Sequence, residues 1–260
     1  MEQIPELFKL IFFFFLGTVI GSFLNVVIYR MPRNKSIIYP SSSCPNCGYK
    51  IKWYENIPII SYILLKGKCK NCSSKISLRY PLVELLTGVL FVAAYLKWGL
   101  SIDLFFNLIF ISLVIAITFI DFDFKIIPDE LNLLGFISGF VYSFFRENFT
   151  PLDALLGALT GAGFLFVVAF LYLKLRKIEG LGMGDVKLLA FFGTYLGWFG
   201  GLFTIFLGSL IGAVFGIIMA YRKNQDNKGQ FEIPFGPFLS LAATVYLFFG
   251  DFIKKFYLGI

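Results

Sequence analysis

The sequence predicts an all-α polytopic membrane protein, about eight transmembrane helices with one long polar loop. Three observations carry this. Of 260 residues, 58% are hydrophobic and only 15% charged, with 34 Phe, far from soluble usage. Apolar runs recur at lengths suited to crossing or entering a bilayer. The basic residues collect in alternate connections, as those retained on the cytoplasmic side do.

The first run, 7–28, follows an N-terminus in which Glu2 and Glu6 face a single Lys9. A secretory signal would begin with positive charge, so the run is expected to be a retained first helix. Residues 29–81 form the polar loop. Ten Lys and Arg lie between Arg30 and Arg79, opposed only by Glu55, which places the loop in the cytoplasm. Further apolar segments fall at 82–97, 103–120, 131–145, 152–173, 186–199, 201–220 and 235–250. The 186–199 segment is short, and is expected either to span or to re-enter. Alternation through eight helices puts 121–130, 174–187 and 221–234 on the cytoplasmic side. That side, with Lys125, Lys174, Arg176, Lys177, Lys187, Arg222, Lys223 and Lys228, then holds 18 of the 23 basic residues. Lys9, Lys97, Arg146, Lys254 and Lys255 fall outside, as do both termini. The expected organisation is a first helix at 1–28, a four-cysteine loop at 29–81 and a membrane core at 82–260. Gly17/Gly21, Gly135/Gly139, Gly157/Gly161, Gly193/Gly197 and Gly208/Gly212/Gly216 have the spacing that lets helices approach closely in lipid.

Composition also excludes. There is no His, so histidine-dependent triads and histidine metal ligands are ruled out. The net charge of +7 bears on orientation rather than on nucleic acid, which is not an expected partner. All four cysteines lie in the polar loop as CPNC and CKNC, in the pattern C-x2-C-x21-C-x2-C: Cys44, Cys47, Cys69 and Cys72. Such paired knuckles suit one tetrahedral ion, a structural zinc with no open position for catalysis. Disulfides or free thiols are the alternatives, and a reducing compartment disfavours disulfides. A zinc-knuckle-like loop is therefore expected.

Acids are costly inside a bilayer, so Asp121 at the end of the third segment and Asp185 at the start of the sixth stand out. The topology places both at one face. If their helices are neighbours, two carboxyls converge. One then keeps a proton while the other, ionised, activates water, which is peptide hydrolysis without His, Ser or catalytic metal. In GLGMGDVK, Gly182 and Gly184 remove side-chain bulk beside Asp185 and admit a substrate strand. The competing reading makes Asp185 a helix N-cap. Asp121, Asp123, Asp129 and Glu130 also form an acidic run with oxygen ligands for a divalent cation. Within it Asp129, after Pro128, reads as the N-cap of the fourth helix, and Asp123 as solvated. Paired acids would also serve an ion or proton transporter.

Five blocks then resemble one family. GSFLNVVIYRMP, the cysteine-bearing loop, IDFDFKIIPD, GMGDVK and IPFGPFLSLA stand in the order found in bacterial type IV prepilin leader peptidases / N-methyltransferases, a branch of the GxGD intramembrane aspartic proteases. The resemblance implies a membrane-embedded aspartic endopeptidase with Asp121 and Asp185 as its catalytic pair. Pro128 lies seven residues after Asp121, and Pro234 and Gly236 belong to an active-site loop. It implies cleavage of the short basic leader of prepilins or pseudopilins, after a Gly, at the cytoplasmic face of the bacterial inner membrane. It also implies N-methylation of the new terminus with S-adenosylmethionine. No dinucleotide-type fingerprint marks a methyl-donor site. Asn25, Arg30, Glu55, Asn56 and Glu84 are the polar candidates, each also explicable structurally. Glu84 is expected near the start of the second helix, where an acid is favourable without any function. The cytoplasmic basic residues suit anionic lipid head groups.

Overall fold

In lipid, backbone groups find no water, so an apolar run satisfies them internally as helix. The computed structural model describes residues 5–177, 182–222 and 234–259. Lys223, Lys228, Ile233, Gly180, Leu181 and Glu2, used in the sequence reading, lie outside them. Among the described residues regular structure is helical, apart from isolated bridges pairing Ser43 with Lys50 and Lys68 with Lys75. The chain divides into two units, Met1–Ala116 and Ile117–Ile260.

The first unit holds α1 (Glu6–Arg30), the short α2 (Ile60–Leu64), α3 (Arg79–Trp98) and most of α4 (Ile102–Phe124). Glycines bring α1 and α3 together. A Cβ at Gly17 would stand 2.7 Å from Gly88 Cα, and one at Gly21 would stand 2.8 Å from Glu84 Cα. Because α3 begins at Arg79, Glu84 is its sixth residue rather than a first-turn acid. It is buried, and its Oε2 accepts from the Ile59 amide at 2.7 Å. This bond anchors the loop at Ile59, whose φ is 62°.

The second unit holds the end of α4 with α5 (Asp129–Tyr142), α6 (Pro151–Arg176), α7 (Met183–Arg222) and α8 (Gly236–Leu258). Helix α6 starts on a capping box, Thr150 with Asp153, followed by Pro151. Helix α5 has 14 residues and so rises about 21 Å, short of a hydrocarbon layer of about 30 Å.

Helix α7 is interrupted at Gly197, at φ 73° and ψ −179°. Two halves result, α7a (183–196) and α7b (198–222). They double back alongside α6. Gly157 adjoins Gly193 and Gly197, while Gly161 adjoins both sides of the break, with a Cβ there 3.1 Å from Leu189 O and 3.8 Å from Gly201 Cα. Expected segments 186–199 and 201–220 are therefore an antiparallel pair. The break sits at Gly197 because that position takes a left-handed φ, open to glycine at little cost. Arg146 Nη1 donates to Tyr195 O at 2.8 Å, satisfying a carbonyl that the break leaves free. Among the described residues six helices, the broken α7 counted as one, are long and apolar enough to cross a membrane. Counting α7 as two and adding the short α5 gives the eight segments read from the sequence.

Candidate active site and metal centre

The turn after α4 places the first acid. Lys125 adopts a left-handed φ of 55°, and its amide bonds the Asp121 carbonyl at 2.8 Å. This is a C-terminal cap that ends the helix one turn beyond Asp121. The chain then passes Ile127 to Pro128, which occupies the N-cap of α5. Asp129 is thus the first helical residue and not the cap. Its carboxylate pairs with Lys187 Nζ, at 2.8 and 2.7 Å. This exposed pair links the start of α5 to the start of α7.

Asp185 is the third residue of α7, after Met183 and Gly184. It does not cap the helix. Its side chain is buried, with 8% exposed, as is that of Asp121 at 5%. The two carboxyls lie within electrostatic reach of each other. Asp121 Oδ2 and Asp185 Oδ1 have no hydrogen-bond partner among the described residues. Two buried acids with unpaired oxygens are a cost to folding, and such groups concentrate at functional sites.

Glycines surround this pair. The Gly236 amide, at the start of α8, is directed at the Asp121 carboxyl. A Cβ on Gly236 would lie 2.5 Å from Asp121 Oδ2 and 3.2 Å from Ile127 Cδ1. A Cβ on Gly184 would meet Ile127 Cβ at 3.2 Å, and one on Gly182 would meet Asp185 Oδ2 at 3.5 Å. Asp121, Ile127, Gly182, Gly184, Asp185 and Gly236 therefore gather in one place. Pro128 sets the start of α5 beside them, and Pro234 lies two residues before Gly236. Ile127 escaped the sequence reading. Its only signal was an apolar residue in a short connection between a catalytic candidate and a proline.

The remaining acids do not converge. Asp123 and Glu130 are exposed, and among the described residues the one group with metal-ligand geometry is the four cysteines. The transport alternative expects acids near the bilayer midplane and broken helices there; the break in α7, at Gly197, carries neither acid. Asp121 lies in the last turn of α4 and Asp185 in the first turn of α7, at helix ends.

In the first unit, Cys44, Cys47, Cys69 and Cys72 bring their sulfurs within 4.8 Å of one another. The Cys44–Cys72 and Cys47–Cys69 sulfur separations are 3.9 and 4.0 Å. A tetrahedral zinc with bonds of about 2.3 Å requires about 3.8 Å between sulfurs, so the set fits. Two matched turns build it. Gly48 and Ser73, each four residues after the first cysteine of its pair, donate amides to Cys44 O and Cys69 O at 2.9 Å. Both have positive φ, 70° and 56°. Asn46 reaches Cys72 Sγ at 3.8 Å, and Asn71 reaches Cys47 Sγ at 3.7 Å. The Ser74 hydroxyl and amide hold the Cys72 thiol down at about 6, and the Cys47 amide lowers Cys44. Both favour the thiolate that a metal requires. Nearby, the Lys70 ammonium, 2.7 Å from Glu55 Oε1, holds that carboxyl below its usual range.

Comparison with known proteins agrees with this division. Residues 15–98 match the bacterial peptidase A24 N-terminal domain, and residues 108–217 match the type IV leader peptidase family. A Myxococcus xanthus protein named prepilin leader peptidase/N-methyltransferase is 41% identical over 209 residues, covering 80% of this chain but 62% of that protein. Proteins of the same name align almost end to end. The one from Aeromonas salmonicida is 37% identical, covering 97% of this chain and 94% of its own length. The one from Pseudomonas aeruginosa is 37% identical, covering 94% and 91%. No solved structure matches.

Proposed function

Because the chain belongs to the type IV leader peptidase family, we propose that it is a membrane-embedded aspartic endopeptidase that removes the basic leader of prepilins or pseudopilins and N-methylates the new terminus. One observation carries the peptidase reading: two buried acids, 64 residues apart in sequence, lie within electrostatic reach of each other, each with an unpartnered oxygen, among glycines. One carboxyl, ionised, takes a proton from water as the water attacks the scissile carbonyl. The other, protonated, donates to the carbonyl oxygen; as the resulting diol collapses it takes a proton back from a hydroxyl, and the first carboxyl passes the proton it took from water to the leaving amine. Gly182, Gly184 and Gly236 leave the approach to the acids free of side chains. Ile127 walls it.

The substrate's hydrophobic helix lies in the bilayer and its leader on the cytoplasmic side. Lys125 and Lys187, at the acid-bearing end of the second unit, belong to that side by the positive-inside rule, and the termini lie opposite. The four thiolates hold a structural zinc that fastens the loop and takes no part in proteolysis. S-adenosylmethionine supplies, when bound, an electrophilic methyl group for the freed amine.

The test is substitution in the full chain. Asp121→Asn and Asp185→Asn should each lower prepilin cleavage by roughly 10³-fold or more while the protein still inserts, as when one member of a catalytic unit is lost. Normal cleavage by either variant would end the dyad assignment.

A further inference from the structure

Arg30 and Asn56 are remote in sequence, yet both line one cavity of about 340 Å³ in the first unit. One wall is a face of α1, apolar at Val19, Phe23 and Val26, with Ser22 and Arg30. The other is loop, with Pro40, Ser42, Asn56 and Pro58. The volume falls in the range of small-molecule sites, about 300–1,000 Å³. Arg30 is held in position, since Nη1 donates to Ser36 O at 3.1 Å and Nη2 to Ser41 O at 3.5 Å. A guanidinium has five donor hydrogens, so those two bonds leave others for an anionic group. No acid is among the described residues lining the cavity.

The other polar candidates for methyl transfer are already engaged. Asn25 Nδ2 donates to Tyr80 O at 3.1 Å, and although its buried Oδ1 has no partner among the described residues, it does not line the cavity. Glu84 accepts from Ile59, and Glu55 from Tyr49, the Lys52 amide and Lys70. Both aspartates belong to the second unit, and to the stretch matched by the peptidase family model. Proteolysis therefore leaves this cavity without a role.

Resting on the methyl-transfer half of the reading above, we infer that this cavity is the S-adenosylmethionine site. Arg30 takes the carboxylate of the methionine part, Ser42 and Asn56 the ribose hydroxyls, and Pro40 and Pro58 flank the flat base. Arg30 meets only the carboxylate of the donor, which carries a sulfonium and an ammonium besides; the hydroxyls and amide match its sugar and amino-acid parts better than the two acyl chains of a phospholipid.

The experiment is equilibrium binding of radiolabelled S-adenosylmethionine to the full chain in nanodiscs, with leader cleavage measured in parallel. Wild type should bind, and S-adenosylhomocysteine should compete. Asn56→Ala and the cavity-filling Ser42→Trp should weaken binding at least about tenfold while leader cleavage persists, showing that each variant is folded. Wild-type binding by both cleavage-competent variants would overturn the assignment. So would displacement of the donor by anionic lipid but not by S-adenosylhomocysteine, which would make the cavity a headgroup site. A wild type that cleaves the leader but binds no donor would remove the proposal and leave the peptidase reading standing. A wild type that binds the donor but cleaves nothing would do the reverse.

Discussion

At Gly236 the space for a methyl group is taken by the Asp121 carboxyl. A Cβ there would stand 2.5 Å from Oδ2, so the acid must turn away or α8 must move. Misplacing a reacting group by about 1 Å can cost roughly 10²-fold in rate, which applies here if Asp121 acts as proposed. Gly236→Ala should therefore lower kcat for leader cleavage by roughly 10²-fold with little change in the amount inserted. Gly182→Ala is the control from the same site. Its Cβ would meet Asp185 Oδ2 at 3.5 Å, ordinary contact, and should cost less than about tenfold. Equal losses in a peptide-cleavage assay would show that the glycines act through something other than side-chain room. The pairing of Asp129 with Lys187 makes a contrasting case: both are well exposed, and Lys187→Gln should change stability by no more than about 1 kcal/mol.

Among the elements, the reversal within α7 brings Asp185 back to the level of α8. It depends on Gly197 and on Arg146. Gly197→Ala would force an L residue into a left-handed φ and set its Cβ 2.9 Å from Phe149 Cε2. The expected cost is about 1–3 kcal/mol for the backbone alone, since φ 73° with ψ −179° is a region kept essentially to glycine. Arg146 lies 4.4 Å over the Phe149 ring and 5.1 Å over Tyr142, in addition to its bond to Tyr195 O. Losing a charged hydrogen bond and these ring contacts should destabilise the second unit by about 2 kcal/mol. Thermal unfolding of Arg146→Ala in detergent should show Tm several degrees lower, and Arg146→Lys should recover part of it. An unchanged Tm would mean that the turn is held by packing alone. The sequence reading separated segments 186–199 and 201–220 and read Gly193 and Gly197 as packing glycines; the structure puts the break at Gly197 itself. Apolar pattern could not place it there, since the position depends on which carbonyl Arg146 reaches.

Across the whole molecule, the function proposed above gives the two units separate chemistry, and metal removal should reveal it. Chelation, or Cys47→Ser with Cys72→Ser, removes the staple from a loop rich in Lys and poor in apolar bulk. Trypsin should then cut within residues 31–78 about tenfold faster, while residues 117–260 keep their protection, because local opening follows local stability. Methylation should fall further than leader cleavage. Protection of the loop unchanged by chelation would remove zinc from the account.

The sequence by itself determined the class, the order of segments and the residue types of each site. Composition, glycine spacing and two CxxC pairs depend on local chemistry, and local chemistry is legible along a chain. Glu84, Asp129 and Asp185 were each open to a first-turn or capping reading, because a helix start can be placed only to within a few residues from pattern alone. Tertiary structure decided between those roles. It turned Asp185 inward toward Asp121, gave Asp129 to Lys187, set Ile127 between two glycines and brought Arg30 and Asn56 to one cavity. Each of these is a meeting of residues from different elements, and such a meeting is fixed by how helices pack and where α7 reverses, which no periodicity within one segment records.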